Sequence, residues 1–209
     1  MPGTSLRASA AKAMTLSTMP AAAIVCPIAH LKPVTGGIDA PNTVRSAAAS
    51  DRSDCGVPFA CATIIPTSAA AIRDDGDGLA RAIRQALDDA GIATADVGMI
   101  VAHANGTPQS DRSEAAAIRS VFGTAIPPVT SFKWAIGHTI AAAGIIEAVL
   151  ALAALAKNEV PGIANLVDID PACAGLPVSA AAQKPTSDIA LILCRGFAGT
   201  DAALLVRAR

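Results

Sequence analysis

Apolar residues at Leu79, Ile83, Ala86, Leu87 and Ala90 recur with the 3.6-residue period of a helix. They predict a helix that starts at Asp77 or Gly78 and stops at Gly91, since glycine tolerates the left-handed backbone that ends helices. The apolar run Val97–Ala102 predicts a short buried strand, and the polar stretch His103–Ser110 a loop. Asp111, with Glu114 three positions later, reads as a capping box opening a second helix that carries Ala115, Ile118, Val121 and Phe122 and ends at Gly123. Val129–Ser131 predicts another strand, Phe132–His138 a loop, and about Thr139 to Lys157 a long helix. Pro161–Pro171 reads as extended or loop. Ile189–Cys194 and Ala202–Arg207 predict two strands joined through the Gly196–Asp201 turn as a hairpin. Strands alternating with helices and closing on a hairpin indicate a layered α/β domain with a mixed sheet. No internal repeat is visible.

Ahead of this ordered pattern the chain is different. Residues 1–58 are rich in Ala, Ser, Thr and Pro with weak periodicity, and Ala21–Cys26 is the one candidate strand. Lys32–Ser53, with Pro33, Gly36, Gly37 and Pro41, reads as loop. The expected organisation is therefore a poorly patterned segment over 1–58 and a domain over 59–209. The first 38 residues hold no Asp or Glu but contain Arg7, Lys12 and Lys32, the composition of a transit or signal segment. Pro27 interrupts the short apolar run there, which favours a plain lead-in.

Composition narrows the function classes. The 209 residues carry 16 basic and 17 acidic side chains, a net charge of −1, so nothing electrostatic points to nucleic acid or an anionic membrane surface. Aromatic residues are 2% of the chain, with no Tyr, which leaves no base-stacking platform. The apolar stretch Ile140–Ala156 includes Glu147 and is Ala-rich, so it reads as a buried helix rather than a membrane span. Cys26, Cys55, Cys61, Cys173 and Cys194 form no CxxC pair, and an odd number argues against a complete disulfide framework. Reduced thiols and a cytoplasmic location are expected. No metal cluster is expected, and Gly76-Asp77-Gly78 lacks the third glycine of a dinucleotide loop.

The chemistry-bearing residues share one kind of position. His103 follows the first strand of the patterned region, and Lys133 and His138 follow the next. In α/β folds the crevice at the carboxyl ends of strands receives ligands, so two of the three histidines and a lysine are expected on one rim.

The run from His103 to Glu114, His-Ala-Asn-Gly-Thr-Pro-Gln-Ser-Asp-Arg-Ser-Glu, resembles the HGTGTxxxDxxE segment of β-ketoacyl-[acyl-carrier-protein] synthases. Lys133-Trp134-Ala135-Ile136-Gly137-His138 resembles their KSxxGH segment, and Ala141-Ala142-Ala143-Gly144 the AAG after it. Gly196-Phe197-Ala198-Gly199-Thr200-Asp201 resembles their GFGGTN turn, and the helix around Ala86–Ile92 resembles the one before the first histidine. All of these fall in order between residues 76 and 201, which makes the resemblance specific.

The resemblance implies the second half of a thiolase-type fold, with a remnant of the first half somewhere in residues 1–58. It implies decarboxylative Claisen condensation, in which a Cys thiolate accepts an acyl chain and two histidines stabilise the enolate formed from malonyl-carrier-protein. By position His103 and His138 match that pair, Lys133 the family's lysine, and Glu147, fourteen residues on, its carboxylate partner. Asn105 and Thr107 match residues along the pantetheine arm, and Phe197 the gate beside the acyl pocket. No cofactor is implied beyond the phosphopantetheine arm of an acyl carrier protein.

The sequence departs from the pattern as well. No cysteine lies in a match to the nucleophile segment, Asn105 replaces a threonine, Arg195 stands where the family has an apolar or aromatic residue, and Ala198 replaces a glycine. Three readings follow. The chain is a catalytic subunit whose nucleophilic Cys comes from a ketosynthase-like partner, or a non-catalytic partner subunit of the chain-length-factor type, or a decayed synthase. Each predicts a wide apolar face and an oligomer, with a synthase-like chain before a homodimer.

Overall fold

The computed structural model describes residues 44–45, 60–66, 75–196 and 200–208. The expected strand Ala21–Cys26 and the gate residue Phe197 lie outside the described residues. In chain order the elements are β1 (Val44–Arg45), β2 (Ala60–Pro66), α1 (Asp77–Ala90), β3 (Met99–Val101), α2 (Pro108–Phe122), β4 (Val129–Thr130), α3 (Lys133–Ile136), α4 (Ala143–Ala156), β5 (Ile189–Arg195) and β6 (Thr200–Arg207).

The strands form one mixed sheet in the order β1-β2-β6-β5-β3-β4. β5 and β6 are the expected hairpin, antiparallel with Leu191 opposite Leu205. β3 runs parallel to both neighbours, with Ile100 opposite Leu191 on one side and Val129 on the other. β2 pairs antiparallel with β6 over its whole length and with β1 at Val44 and Arg45.

Strand alternation divides the core into two layers. Ile100, Leu191, Leu193 and Leu205 point to the face covered by Leu79, Ile83 and Leu87 of α1 and Ile118 and Phe122 of α2. Met99, Val101, Ala190, Ile192 and Val206 point to the other face and meet Ala151, Ala154 and Leu155 of α4. The result is helix, sheet and helix in three layers, the expected α/β architecture. α1 approaches α2 closely, because a Cβ on Gly76 would lie 2.1 Å from the carbonyl oxygen of Ser113.

Several expectations are corrected. β2 was not anticipated, and Val44–Arg45 is a strand inside a stretch read as loop. α2 starts at Pro108 rather than after Asp111: Thr107 takes the cap position and Pro108 fills the first turn, where its missing N–H costs nothing. The loop Phe132–His138 contains the single helical turn α3, which Gly137 ends at φ +80°. The long helix begins as a 3₁₀ turn, Ile140–Ala142, before α4 proper. None of the helices among the described residues is long and apolar enough to cross a membrane.

Candidate active site

β3 and β4 lie side by side and parallel, so the segments leaving their carboxyl ends emerge on the same rim. The first brings His103 and the second Lys133 and His138. Glu147 reaches the same region from α4.

His103 is 3% exposed. Its backbone N–H donates to Glu114 Oε1 at 2.7 Å, and the N–H of Ala104 to Glu114 Oε2 at 2.9 Å. The carboxylate expected to cap α2 therefore turns inward and clamps the loop that follows β3. Burial pushes its carboxyl up to about 7, against the pull of those two N–H groups. On the His103 ring, Nδ1 accepts the backbone N–H of Arg195 at 3.3 Å. A neutral imidazole that accepts at Nδ1 carries its proton on Nε2. Burial, then the charges of Lys133, His138 and Arg195, push the imidazole down to about 3, so the ring is neutral at physiological pH.

His138 is exposed, and its Nδ1 accepts the N–H of Ile140 at 3.1 Å. In its neutral form it too presents Nε2–H. The two rings meet edge to face, with centroids 5.3 Å apart at 79°.

Lys133 and Glu147 are both buried, and Nζ donates to Oε1 at 2.5 Å. Burial pushes the Glu147 carboxyl up, and Lys133 pulls it back. This pairing is what an ammonium in an apolar site requires, since an unpartnered buried charge costs several kcal/mol. Cys194 donates its thiol to the other Glu147 oxygen at 3.8 Å. Burial and that neighbouring carboxylate push the thiol up to about 11. A thiol so strongly protonated is no nucleophile near neutral pH.

The remaining expected residues lie on the rim. Asn105 and Thr107 are exposed, and Asn105 Oδ1 accepts the N–H of Thr107 at 3.0 Å in a tight turn. Beneath this loop is a largely apolar cavity of about 320 Å³, lined by Ala104, Ile118, Val129, Trp134, Ile163 and Leu176 among others. Sequence reasoning missed the inward role of Glu114 and the partners of Arg195. Glu114 carried a signal, as the carboxylate that closes the segment beginning at His103, but a local cap explained it more simply.

Residues 64–167 match the β-ketoacyl synthase C-terminal domain. This chain carries that domain of the β-ketoacyl synthase family. It is 36% identical over 133 residues to the tetracenomycin polyketide synthase ketoacyl synthase beta subunit of Streptomyces glaucescens, covering 62% of this chain and 32% of that protein. The ishigamide ketosynthase/chain length factor superposes with a TM-score of 0.67 at 32% identity, over 71% of this chain and 37% of that one. A type II polyketide ketosynthase in complex with its acyl carrier protein and bound to the hexaketide, AntDE:AntF, gives 0.66 at 30%, over 73% and 38%. The thiolase-like half-fold of the ketosynthases is thus the fold of this chain. The chain spans about a third of the length of the curated relatives it matches.

Proposed function

We propose that this ketosynthase domain supplies the decarboxylation machinery of a Claisen-condensing complex, and that a ketosynthase-like partner chain supplies the nucleophilic Cys. The observation that carries this reading is the pair His103 and His138, in ring contact and each with a backbone N–H on Nδ1. Both rings are thereby prepared to offer Nε2–H to an oxygen that gains charge. When the carboxyl carbon of a malonyl thioester leaves as CO2, the electron pair of the broken bond moves into the enolate, and these donors stabilise its oxygen. Such preorganised donors are each worth about 3–4 kcal/mol. The resulting carbanion forms a C–C bond to the carbonyl carbon of the acyl thioester on the partner's Cys, and the C–S bond breaks to release the Cys thiolate. Lys133, held by Glu147, adds a fixed positive charge beside them. Asn105, Thr107 and Phe197 serve the pantetheine arm and the acyl pocket in this reading. The acyl carrier protein brings that arm, and the reading calls for no further cofactor. The site of action is the cytoplasm.

Support for a partner comes from a run of exposed apolar side chains around His138. Trp134, Ile136, Ile140, Ile145 and Val149 are 46–69% exposed, strung along α3, the following turn and one face of α4. Apolar surface of this kind marks interfaces.

The test mixes the chain with a Cys-bearing ketosynthase and malonyl-carrier-protein and follows CO2 release. His103→Ala and His138→Ala are each expected to slow it by about a hundredfold. Unchanged rates would overturn the catalytic reading. They would favour the non-catalytic, chain-length-factor-like subunit, a reading encouraged by the similarity to a ketoacyl synthase beta subunit.

A further inference from the structure

The decarboxylation reading makes no use of Arg195, yet this side chain is among the most thoroughly engaged in the molecule. It is 4% exposed. Nε donates to Asp201 Oδ1 at 2.9 Å, and Nη1 donates to the Ser110 carbonyl at 3.0 Å and to Ser113 Oγ at 2.6 Å. One guanidinium therefore ties the end of β5 to the start of β6 and to the first turns of α2. The backbone N–H of the same residue is the donor to His103 Nδ1. α2, at the other end of these contacts, carries Glu114, which accepts the backbone N–H of His103. Both polar anchors of the His103 residue thus sit on elements that Arg195 fastens together.

Arg195 and Asp201 also depart together from the sequence pattern described above, where an apolar or aromatic residue and an asparagine stand at these positions. A buried ion pair in place of such residues is weak as a source of stability, because desolvation offsets the attraction. Its distinctive property is geometry: the planar fork holds three acceptors from two nitrogens at fixed directions, which an apolar side chain cannot do and the single, freely rotating ammonium of a lysine does not reproduce.

We propose that Arg195 is a positioning residue for His103, locking the end of β5 against α2 so that its own backbone N–H holds the imidazole in the Nε2–H form. The functional importance of that form rests on the decarboxylation reading; the positioning itself does not. The guanidinium charge also disfavours protonation of the ring, less than burial, Lys133 and His138 do. The other charged or titratable groups facing His103 are Glu114 from α2, Lys133 from α3 and His138 from the turn after it.

The experiment uses the full chain labelled with ¹⁵N-histidine. In the native protein the His103 ring is expected to show a neutral Nε2–H signature from pH 5 to 8. In Arg195→Met/Asp201→Asn, which removes both charges and leaves neither orphaned, the ring is expected to populate both tautomers over the same range. With partner and malonyl-carrier-protein present, CO2 release is expected to fall about tenfold with KM unchanged. A folded double variant that keeps the native tautomer overturns the proposal. Arg195→Lys retains the cation without the fork and serves if the double variant does not fold. It is expected to lose the single tautomer, and its retention of that tautomer likewise overturns the proposal. If the tautomer mixes as expected but His103→Ala leaves CO2 release unchanged, the positioning stands and the decarboxylation reading falls.

Discussion

The rings of His103 and His138 touch edge to face, centroids 5.3 Å apart, across thirty-five residues of sequence. One is buried at the end of a strand and the other is exposed on a turn. The parallel pairing of β3 with β4 makes this possible, because it brings both segments out at the same edge of the sheet. Burial and three nearby cationic or titratable side chains keep the His103 ring uncharged, so it presents one N–H and one lone pair rather than a positive charge.

That environment has a thermodynamic consequence in acid. The native imidazole is pushed down to about 3, below the 6.5 of a free one, so the unfolded chain binds a proton that the folded chain refuses. The contribution of His103 to stability is complete above pH 6.5 and is lost as pH falls toward 3. Glu114, pushed up to about 7, slopes the other way between its free value of 4.5 and 7. The two are separated by comparing the native protein with His103→Asn in urea unfolding from pH 7.5 to 4.5. The native protein should lose more stability on acidification, by up to on the order of 1.4 kcal/mol per pH unit. Equal slopes would remove the buried neutral histidine from the account.

The buried pair Lys133–Glu147 predicts an asymmetry between single and double substitutions. Glu147→Ala leaves an ammonium buried without a partner and takes an acceptor from the Cys194 thiol. A loss of about 3–5 kcal/mol is expected, whereas Lys133→Met/Glu147→Leu should recover most of it. Chemical denaturation of the three proteins checks this. A double variant weaker than Glu147→Ala would mean that the pair contributes more than mutual neutralisation.

How much of this was legible in the sequence depended on how local the cause was. α1 was read to within a residue, because its five apolar positions and Gly91 act within one helix. The start of α2 was misread because Asp111 and Glu114 satisfy a local capping pattern, while the real demand on Glu114 comes from two N–H groups in the preceding loop. β2 was missed because its strand conformation depends on pairing with β6, where Ala60 faces Val206 and Pro66 faces Thr200, about 140 residues later. The candidate site residues were singled out through motif order. Their contacts were not, and Arg195 shows why: it bonds Ser110 and Ser113, more than eighty residues earlier in the chain.

Ala104, the second of the two residues clamped by Glu114, lies between His103 and the turn at Asn105, and its φ is +33°. A side chain with a Cβ is disfavoured there, and the bond from its N–H to Glu114 holds it in place. Ala104→Gly is therefore expected to stabilise the fold by about 0.5–1 kcal/mol, the reverse of the usual effect of glycine. A lower thermal midpoint for the variant would show that the backbone is not strained at this position.

Cys194 should be inert. Its thiol is pushed up to about 11, and its Sγ would lie 3.2 Å from a Cβ on Gly144 of α4. Thiol-specific reagents at pH 8 are expected to modify Cys194 only on unfolding, and Cys194→Ser should leave CO2 release in the assembled complex within twofold of native. Rapid labelling in the folded state, or abolished activity in the serine variant, would make Cys194 a candidate nucleophile and remove the need for a partner's thiol.

The apolar surface beside His138 sets the last expectation. α4 buries Ala151, Ala154 and Leu155 against the sheet and leaves Ile145 and Val149, one turn apart, on its open side. A helix apolar on both sides is stable in water only if the second side is covered. The full chain alone should therefore self-associate or bind a ketosynthase-like chain. Ile145→Lys/Val149→Glu should weaken that association at least tenfold while leaving the far-UV spectrum unchanged, since neither side chain enters the core. Sedimentation of the native chain as a well-behaved monomer, with no binding to a Cys-bearing ketosynthase, would mean that this face has no protein partner.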